Sequence, residues 1–207
     1  MSQREEILGR IRRATLRKKR HPGAHLAPGI EGDWTAFATM LESVGGVPHG
    51  PIAREATGRV VHQIVEDRAE ASERVVAEPA LRDWIGGGRW TSASSAATPH
   101  AYKDVAVAVA LGRVACAENG AIAVLGADAP SRSLLVLCRH LVLLVPEAAV
   151  VPDLHTAFAA LPGDALVHHH LTWISGPSKT ADIEGALVYG AHGPLTLDAI
   201  AVRSDAR

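Results

Sequence analysis

The chain has 207 residues, 47% hydrophobic but only 4% aromatic, enough for one sizeable core built mainly from Ala, Val, Leu and Ile. Its net charge of −1 gives no global attraction to nucleic acid or anionic lipid. The longest apolar run, 134–145, is interrupted by Arg139 and His140, so no segment spans a bilayer, and the opening MSQREEILGR lacks the apolar core and cleavage site of a signal peptide; the expected location is cytoplasmic.

Arg4 to Arg20 is strongly basic, with Ile7, Leu8 and Ile11 forming one apolar helical stripe. Residues 1–20 are therefore read as a basic amphipathic helix, solvated with one face docked. Partner binding is the alternative, and no aromatic residue stands there to stack on a base. His21 to Asp33 reads as a linker. Trp34, Phe37, Met40, Leu41 and Val44 predict a helix that stops at Gly45-Gly46. A second helix is expected over 53–68, with Val60, Val61, Ile64 and Val65 as its apolar stripe, then a short strand over 74–77. Pro79 to Ile85 reads as a helix closed by Gly86-Gly87-Gly88. A triple glycine has the freedom to cradle a phosphate, but no G-x-G-x-x-G or Walker pattern surrounds this one, so it reads as a helix stop and loop. Thr91 to Thr98 is a polar, small-residue loop, a candidate cover for a site.

From Asp104 the pattern turns to β. Val105, Val107 and Val109 alternate with alanines, and further strands are expected over 121–125, 141–145 and 171–175, with shorter ones over 187–189 and 199–202. A helix is expected over 153–161, ahead of Pro162-Gly163. Apolar strands alternating with helices indicate an α/β fold, a largely parallel sheet flanked by helices.

Two segments carry candidate chemistry. In the first, an apolar run over 171–174 feeds Ser175-Gly176-Pro177-Ser178-Lys179-Thr180 and an apparent helix start. Ser178 or Thr180 is placed as N-cap, with Asp182 and Glu184 in the first turn. A second tight turn, Gly190-Ala191-His192-Gly193-Pro194, follows. Such turns are expected at the carboxyl ends of parallel strands, where ligands bind. The other segment, Cys116-Ala117-Glu118-Asn119-Gly120, puts a carboxylate before a glycine. Glu118 has two readings, a nucleophile at a strand end or a turn carboxylate that holds backbone N–H groups. His192 is a proton-exchanging group or a loop-fixing side chain. Lys179 is an anion ligand or a solvated cation. His168-His169-His170 cannot all chelate one ion, because adjacent strand residues point to opposite faces. The two cysteines, Cys116 and Cys138, form no C-x-x-C pair and no cluster ligand set.

GPSKTADIE, LVYGAHGP and the segment from Val114 to Val124 together resemble the signature of the LUD-domain, lactate utilization protein C family. The resemblance is strongest over 104–202, and it implies a single LUD domain over 21–207. The family usually has Ala-Glu-Thr-Gly-Thr where this chain has Ala117-Glu118-Asn119-Gly120-Ala121. The resemblance implies the fold shared by ribose-5-phosphate isomerase, glucosamine-6-phosphate deaminase and CoA transferases (NagB/RpiA/CoA transferase-like). It also implies oxidation of L-lactate to pyruvate together with iron–sulfur partner proteins, with this chain as the cluster-free member that binds no cofactor itself. The candidate catalytic residues are then Glu118 and His192. A small carboxylate, acyl or phosphorylated ligand would meet Asn119, Gly120, Gly176, Pro177, Ser178, Lys179, Thr180, Asp182, Glu184 and Gly193. Glu118-Asn119-Gly120 is similar to the Ser-Glu-Asn-Gly motif of one class of CoA transferases, in which the glutamate is the nucleophile. Transferase or sugar-phosphate isomerase activity, and a regulatory or scaffold role without catalysis, stand as alternatives.

Overall fold

The computed structural model describes residues 3–13, 29–94, 97–126, 132–163, 170–182 and 185–203. Helix α1, Gln3–Arg13, comes first, and Ile7 of its expected stripe is exposed. Helix α2, Trp34–Ser43, buries Trp34, Phe37 and Leu41, and Asp33 caps it by accepting the Ala36 N–H at 2.8 Å. Strand β1, Val47–Ile52, leads to helix α3, Arg54–Arg68, and strand β2, Arg74–Ala77. A 3-10 turn and the short helix α4, Arg82–Ile85, precede strand β3, Trp90–Ser92. Strand β4, Val105–Leu111, is buried throughout. Strands β5, Val114–Cys116, and β6, Ala121–Leu125, precede the short helix α5, Leu134–Leu137, and strand β7, His140–Pro146. Next come strand β8, Val150–Val151, helix α6, Leu154–Ala160, and strand β9, Leu171–Ser175. Strands β10, Lys179–Thr180, β11, Val188–Tyr189, and β12, Thr196–Val202, close the order. No helix among the described residues is long and apolar enough to cross a membrane.

The main sheet has six parallel strands in the order β1-β12-β7-β4-β2-β3. Its period-2 alternation divides the interior. Leu141, Leu143 and Val145 of β7 and Leu197, Ala199 and Ala201 of β12 join the core with α2 and α5. Val142, Leu144, Ile200 and Val202 join Val61, Ile64 and Val65 of α3 on the opposite face. Asp198, 1% exposed, is the polar residue in that second series. It accepts hydrogen bonds from Arg68 Nε at 3.3 Å and Nη2 at 3.2 Å, and His49 Nε2 lies 2.9 Å away, so one carboxylate ties β12 to α3 and to β1.

The expected α/β architecture, a parallel sheet flanked by helices, is present, with several elements placed differently. Segments 121–125 and 171–175 are β6 and β9 of a second, four-stranded sheet, β8-β5-β6-β9, where β6 pairs antiparallel with both neighbours. Its inner side chains, Ala115, Ile122 and Val124, complete the α2 core. Its outer ones, Val114, Cys116 and Ala123, pack on Ala157 and Leu161 at α6. The helix start expected after Gly176 is instead a hairpin, because Lys179 and Thr180 pair antiparallel with Tyr189 and Val188. His168 and His169 lie outside the described residues, and among those described no group of His, Cys, Asp and Glu is arranged to hold a metal.

Candidate functional site

Cys116 closes β5, and the chain reverses through Ala117-Glu118-Asn119-Gly120 into β6. Gly120 has φ 64°, and a Cβ there would stand 3.2 Å from the Leu41 backbone, so the turn lies flat against α2. Asn119 Oδ1 accepts the Ala121 N–H at 3.0 Å, a local Asx turn. Glu118 Oε2 accepts the Leu154 N–H at 3.0 Å, and Asp153 Oδ1 accepts the Thr156 N–H at 2.7 Å. Two carboxylates therefore satisfy the amino end of α6. The geometry around Glu118 is that of its second reading, a carboxylate holding a backbone N–H.

Ser175 Oγ donates to the Asn119 carbonyl at 2.7 Å and joins this turn to the next. At Gly176 φ is 75°, and a Cβ would come within 2.4 Å of the Val44 carbonyl oxygen. Pro177 is buried beside Gly45. Lys179 Nζ donates to the Val44 carbonyl at 2.7 Å, so this lysine closes the end of α2. Thr180 Oγ1 accepts the Asp182 N–H at 3.3 Å, which spends the expected cap on a turn. Glu184 lies outside the described residues.

Ser178 joins the two glycine-proline turns. Its N–H donates to the Pro194 carbonyl at 2.9 Å, its carbonyl accepts the Gly190 N–H at 2.8 Å, and its Oγ accepts the His192 N–H at 3.3 Å. Gly193 packs on the Ser178 side chain. The 176–180 and 190–194 motifs thus form one unit, linked to Asn119 through Ser175. The Glu118 carboxylate is engaged away from that unit, at α6.

His192 is exposed and lines a groove of about 570 Å³ with Lys103, Asp104, Val136, Leu137, Arg139 and Leu195. The groove lies at the amino ends of β4, β7 and β12, not at the carboxyl ends expected, because residues 190–195 lead into a parallel strand: Leu195 N–H donates to the Arg139 carbonyl just before β12 pairs with β7. Lys103 and Arg139 belong to neither motif. Arg139 Nη2 donates to Glu73 Oε2 at 2.6 Å, which holds the Glu73 carboxyl down at about 2 and raises Arg139 in turn. Burial, then the Arg139 and Arg68 charges, lowers His140, whose Nδ1 lies 2.8 Å from Thr196 Oγ1. Cys138 also lines the groove, but burial pushes its thiol up to about 12. Cys116, buried against α6, is raised by burial as well. Neither thiol is activated as a nucleophile. The groove thus combines apolar side chains with the His192 imidazole, the Lys103 ammonium, the Asp104 carboxylate and the Arg139 guanidinium, the last paired to Glu73.

Lactate utilization protein C of Geobacillus thermodenitrificans (strain NG80-2) is 30% identical over 110 residues, which cover 51% of this chain and 46% of that protein. Lactate utilization protein C of Shouchella clausii (strain KSM-K16) is 32% identical over 92 residues, covering 43% of this chain and 40% of that protein. The chain spans about half the length of the curated relatives it matches. A DUF162 family protein from Deinococcus radiodurans, known from its crystal structure, shares the fold with a TM-score of 0.64 and 17% identity, over 81% of this chain and 94% of that one. Residues 55–202, a stretch that takes in both motifs, the second sheet and every main-sheet strand but β1, match the LUD domain, and the chain belongs to that family.

Proposed function

We propose that this chain is the cluster-free subunit of an iron–sulfur system that oxidises L-lactate to pyruvate. The observation that carries the reading is the similarity to relatives named lactate utilization protein C. The chemistry of the two cysteines supports the cluster-free part. A [4Fe–4S] cluster normally takes four thiolates. Cys116 and Cys138 are both buried, raised by burial and packed in different cores, so they do not suit such a cluster. The clusters are assigned to partner proteins.

Within that system the His192 groove receives the small carboxylate. Lys103 attracts its charge, Val136, Leu137 and Leu195 meet its short apolar part, and His192 exchanges a proton with it. A second reading, a scaffold subunit without catalysis of its own, draws on one further observation: Val136, Leu137 and Leu195 are large, apolar and exposed in the groove, and Leu187 and Tyr189 are exposed on the segment that precedes its Gly190 turn.

The test is an anaerobic purification of the tagged full chain from its own host. The expected complex contains iron and acid-labile sulfide and reduces a dye when L-lactate is added. The separated chain is colourless and carries no stoichiometric iron. A chain that elutes alone from lactate-grown cells, or holds a cluster by itself, refutes the assignment.

A further inference from the structure

The strand order of the main sheet reverses between β2 and β4. The chain steps outward from β2 to β3, then returns to β4 and proceeds the other way to β7 and β12. In open α/β sheets the crevice outside the carboxyl ends at such a point is the usual ligand position. The His192 groove sits at the opposite, amino ends of the sheet, so it leaves this position unassigned.

The carboxyl ends here are built, not frayed. Glu78 N–H donates to the Val109 carbonyl at 2.9 Å, and Glu78 Oε2 accepts the Leu111 N–H at 2.9 Å, which ties β2 to the end of β4. Ala93 N–H donates to the Ala77 carbonyl at 2.9 Å and fixes the end of β3. Beside these ends lies a cavity of about 360 Å³, bounded by Glu78, Arg82, Gly86 to Gly88, Trp90 and Ser92, a size ordinary for small-molecule sites.

Its polar groups point to an anion. The Arg82 guanidinium makes no ion pair or hydrogen bond among the described residues. The Gly87 and Gly88 N–H groups donate to no acceptor among them either. The loop that carries these donors is held in place. The Gly86 N–H closes α4 on the Arg82 carbonyl, His62 Nε2 lies 3.1 Å from the Gly87 carbonyl oxygen, and Trp90 packs on Gly88 so closely that a Cβ there would meet the ring at 2.3 Å. At Gly87 a Cβ would meet nothing within 4 Å. Among the described residues the carboxylate on the wall is Glu78, which is 2% exposed and accepts the Leu111 N–H through Oε2.

We propose that this cavity is a second ligand site, separate from the His192 groove, and that it takes the phosphate group of a small phosphate monoester. A guanidinium fork and two backbone N–H groups from different points of the wall match three acceptor oxygens on a tetrahedral centre better than the two of a planar carboxylate. Ile85, Pro79 and the Trp90 ring give the organic part an apolar seat. The site rests on its own geometry and not on the lactate reading.

The experiment titrates inorganic phosphate into the isotopically labelled full chain and follows backbone amide and indole resonances. Saturable shifts are expected at Gly87, Gly88 and the Trp90 indole. Arg82→Ala should weaken them at least about tenfold, the loss of a charge-assisted contact, while Arg82→Lys keeps part of the affinity and His192→Ala leaves it unchanged. Arg82 is exposed and makes no pair among the described residues, so its variants should melt with the parent. No saturable shift at Gly87 and Gly88 overturns the site, as does parent-like binding by Arg82→Ala. L-lactate saturating the same resonances as tightly as phosphate overturns the assignment to phosphate.

Discussion

At Gly176 the backbone is left-handed, and a side chain would collide with the Val44 carbonyl, which also accepts from Lys179. Gly176→Ala should therefore cost about 2 kcal/mol or more, from positive φ and the clash together. Gly87→Ala, whose Cβ enters open space, should stay within about 0.5 kcal/mol. Urea unfolding of the two variants measures the contrast. His140 carries a pH dependence. Burial first, then the charges of Arg139 and Arg68, hold its folded-state value below the ordinary 6.5. The unfolded chain then binds more protons near that pH, so stability is full above 6.5 and falls as the solution is acidified. His140→Asn, which can still meet the Thr196 hydroxyl, should flatten that slope in unfolding midpoints taken between pH 5 and 8. The Glu73 carboxyl, held at about 2 by Arg139, adds a separate loss only below its ordinary 4.5. Residue types and motif spacing exposed His192 and Gly176 as candidates. They did not expose Lys103 or Arg139, because single cations before a strand carry no pattern and only the fold brings them beside His192.

The elements that were legible are those whose burial pattern is local. The stripe of Trp34, Phe37 and Leu41 predicts α2, and the alternation of Val105, Val107 and Val109 predicts β4. Strand β1 was not legible, since Pro48, Gly50 and Pro51 make it look like a loop. It is an edge strand paired only with β12, a position where missing N–H donors are tolerated. The hairpin of β10 and β11 was misread as a helix start for a related reason. Its Ser and Thr do hold backbone N–H groups, but Ser178 pairs with Pro194 and Gly190 across the chain, and no local signal announces that. Glu118 separates its two readings at this scale. Glu118→Gln keeps an acceptor for the Leu154 N–H and should cost under about 1 kcal/mol, the charge–dipole part, whereas Glu118→Ala should cost about 1–2 kcal/mol, a lost cap. If Glu118 is only a cap, Glu118→Gln retains activity in the assembled system. An inactive but stable Glu118→Gln variant instead marks the carboxylate as a nucleophile.

For the molecule as a whole, buried Val- and Ala-rich runs were enough to expect a parallel sheet flanked by helices, and six parallel strands form it. The division into two sheets was hidden, because all five residues of β6 are buried and a strand covered on both faces reads the same whether its partners run parallel or antiparallel. That second sheet carries the Glu118 turn and leads through β9 to the Gly176 turn, so it joins the family's two signature segments into one structure. The role proposed for this structure is L-lactate oxidation. Growth of a strain lacking this gene, in a host with no other lactate dehydrogenase, tests it most directly. The expected result is impaired growth on L-lactate and normal growth on pyruvate, with growth on L-lactate restored by the intact gene. Normal growth on L-lactate, or equal loss on both carbon sources, would contradict it.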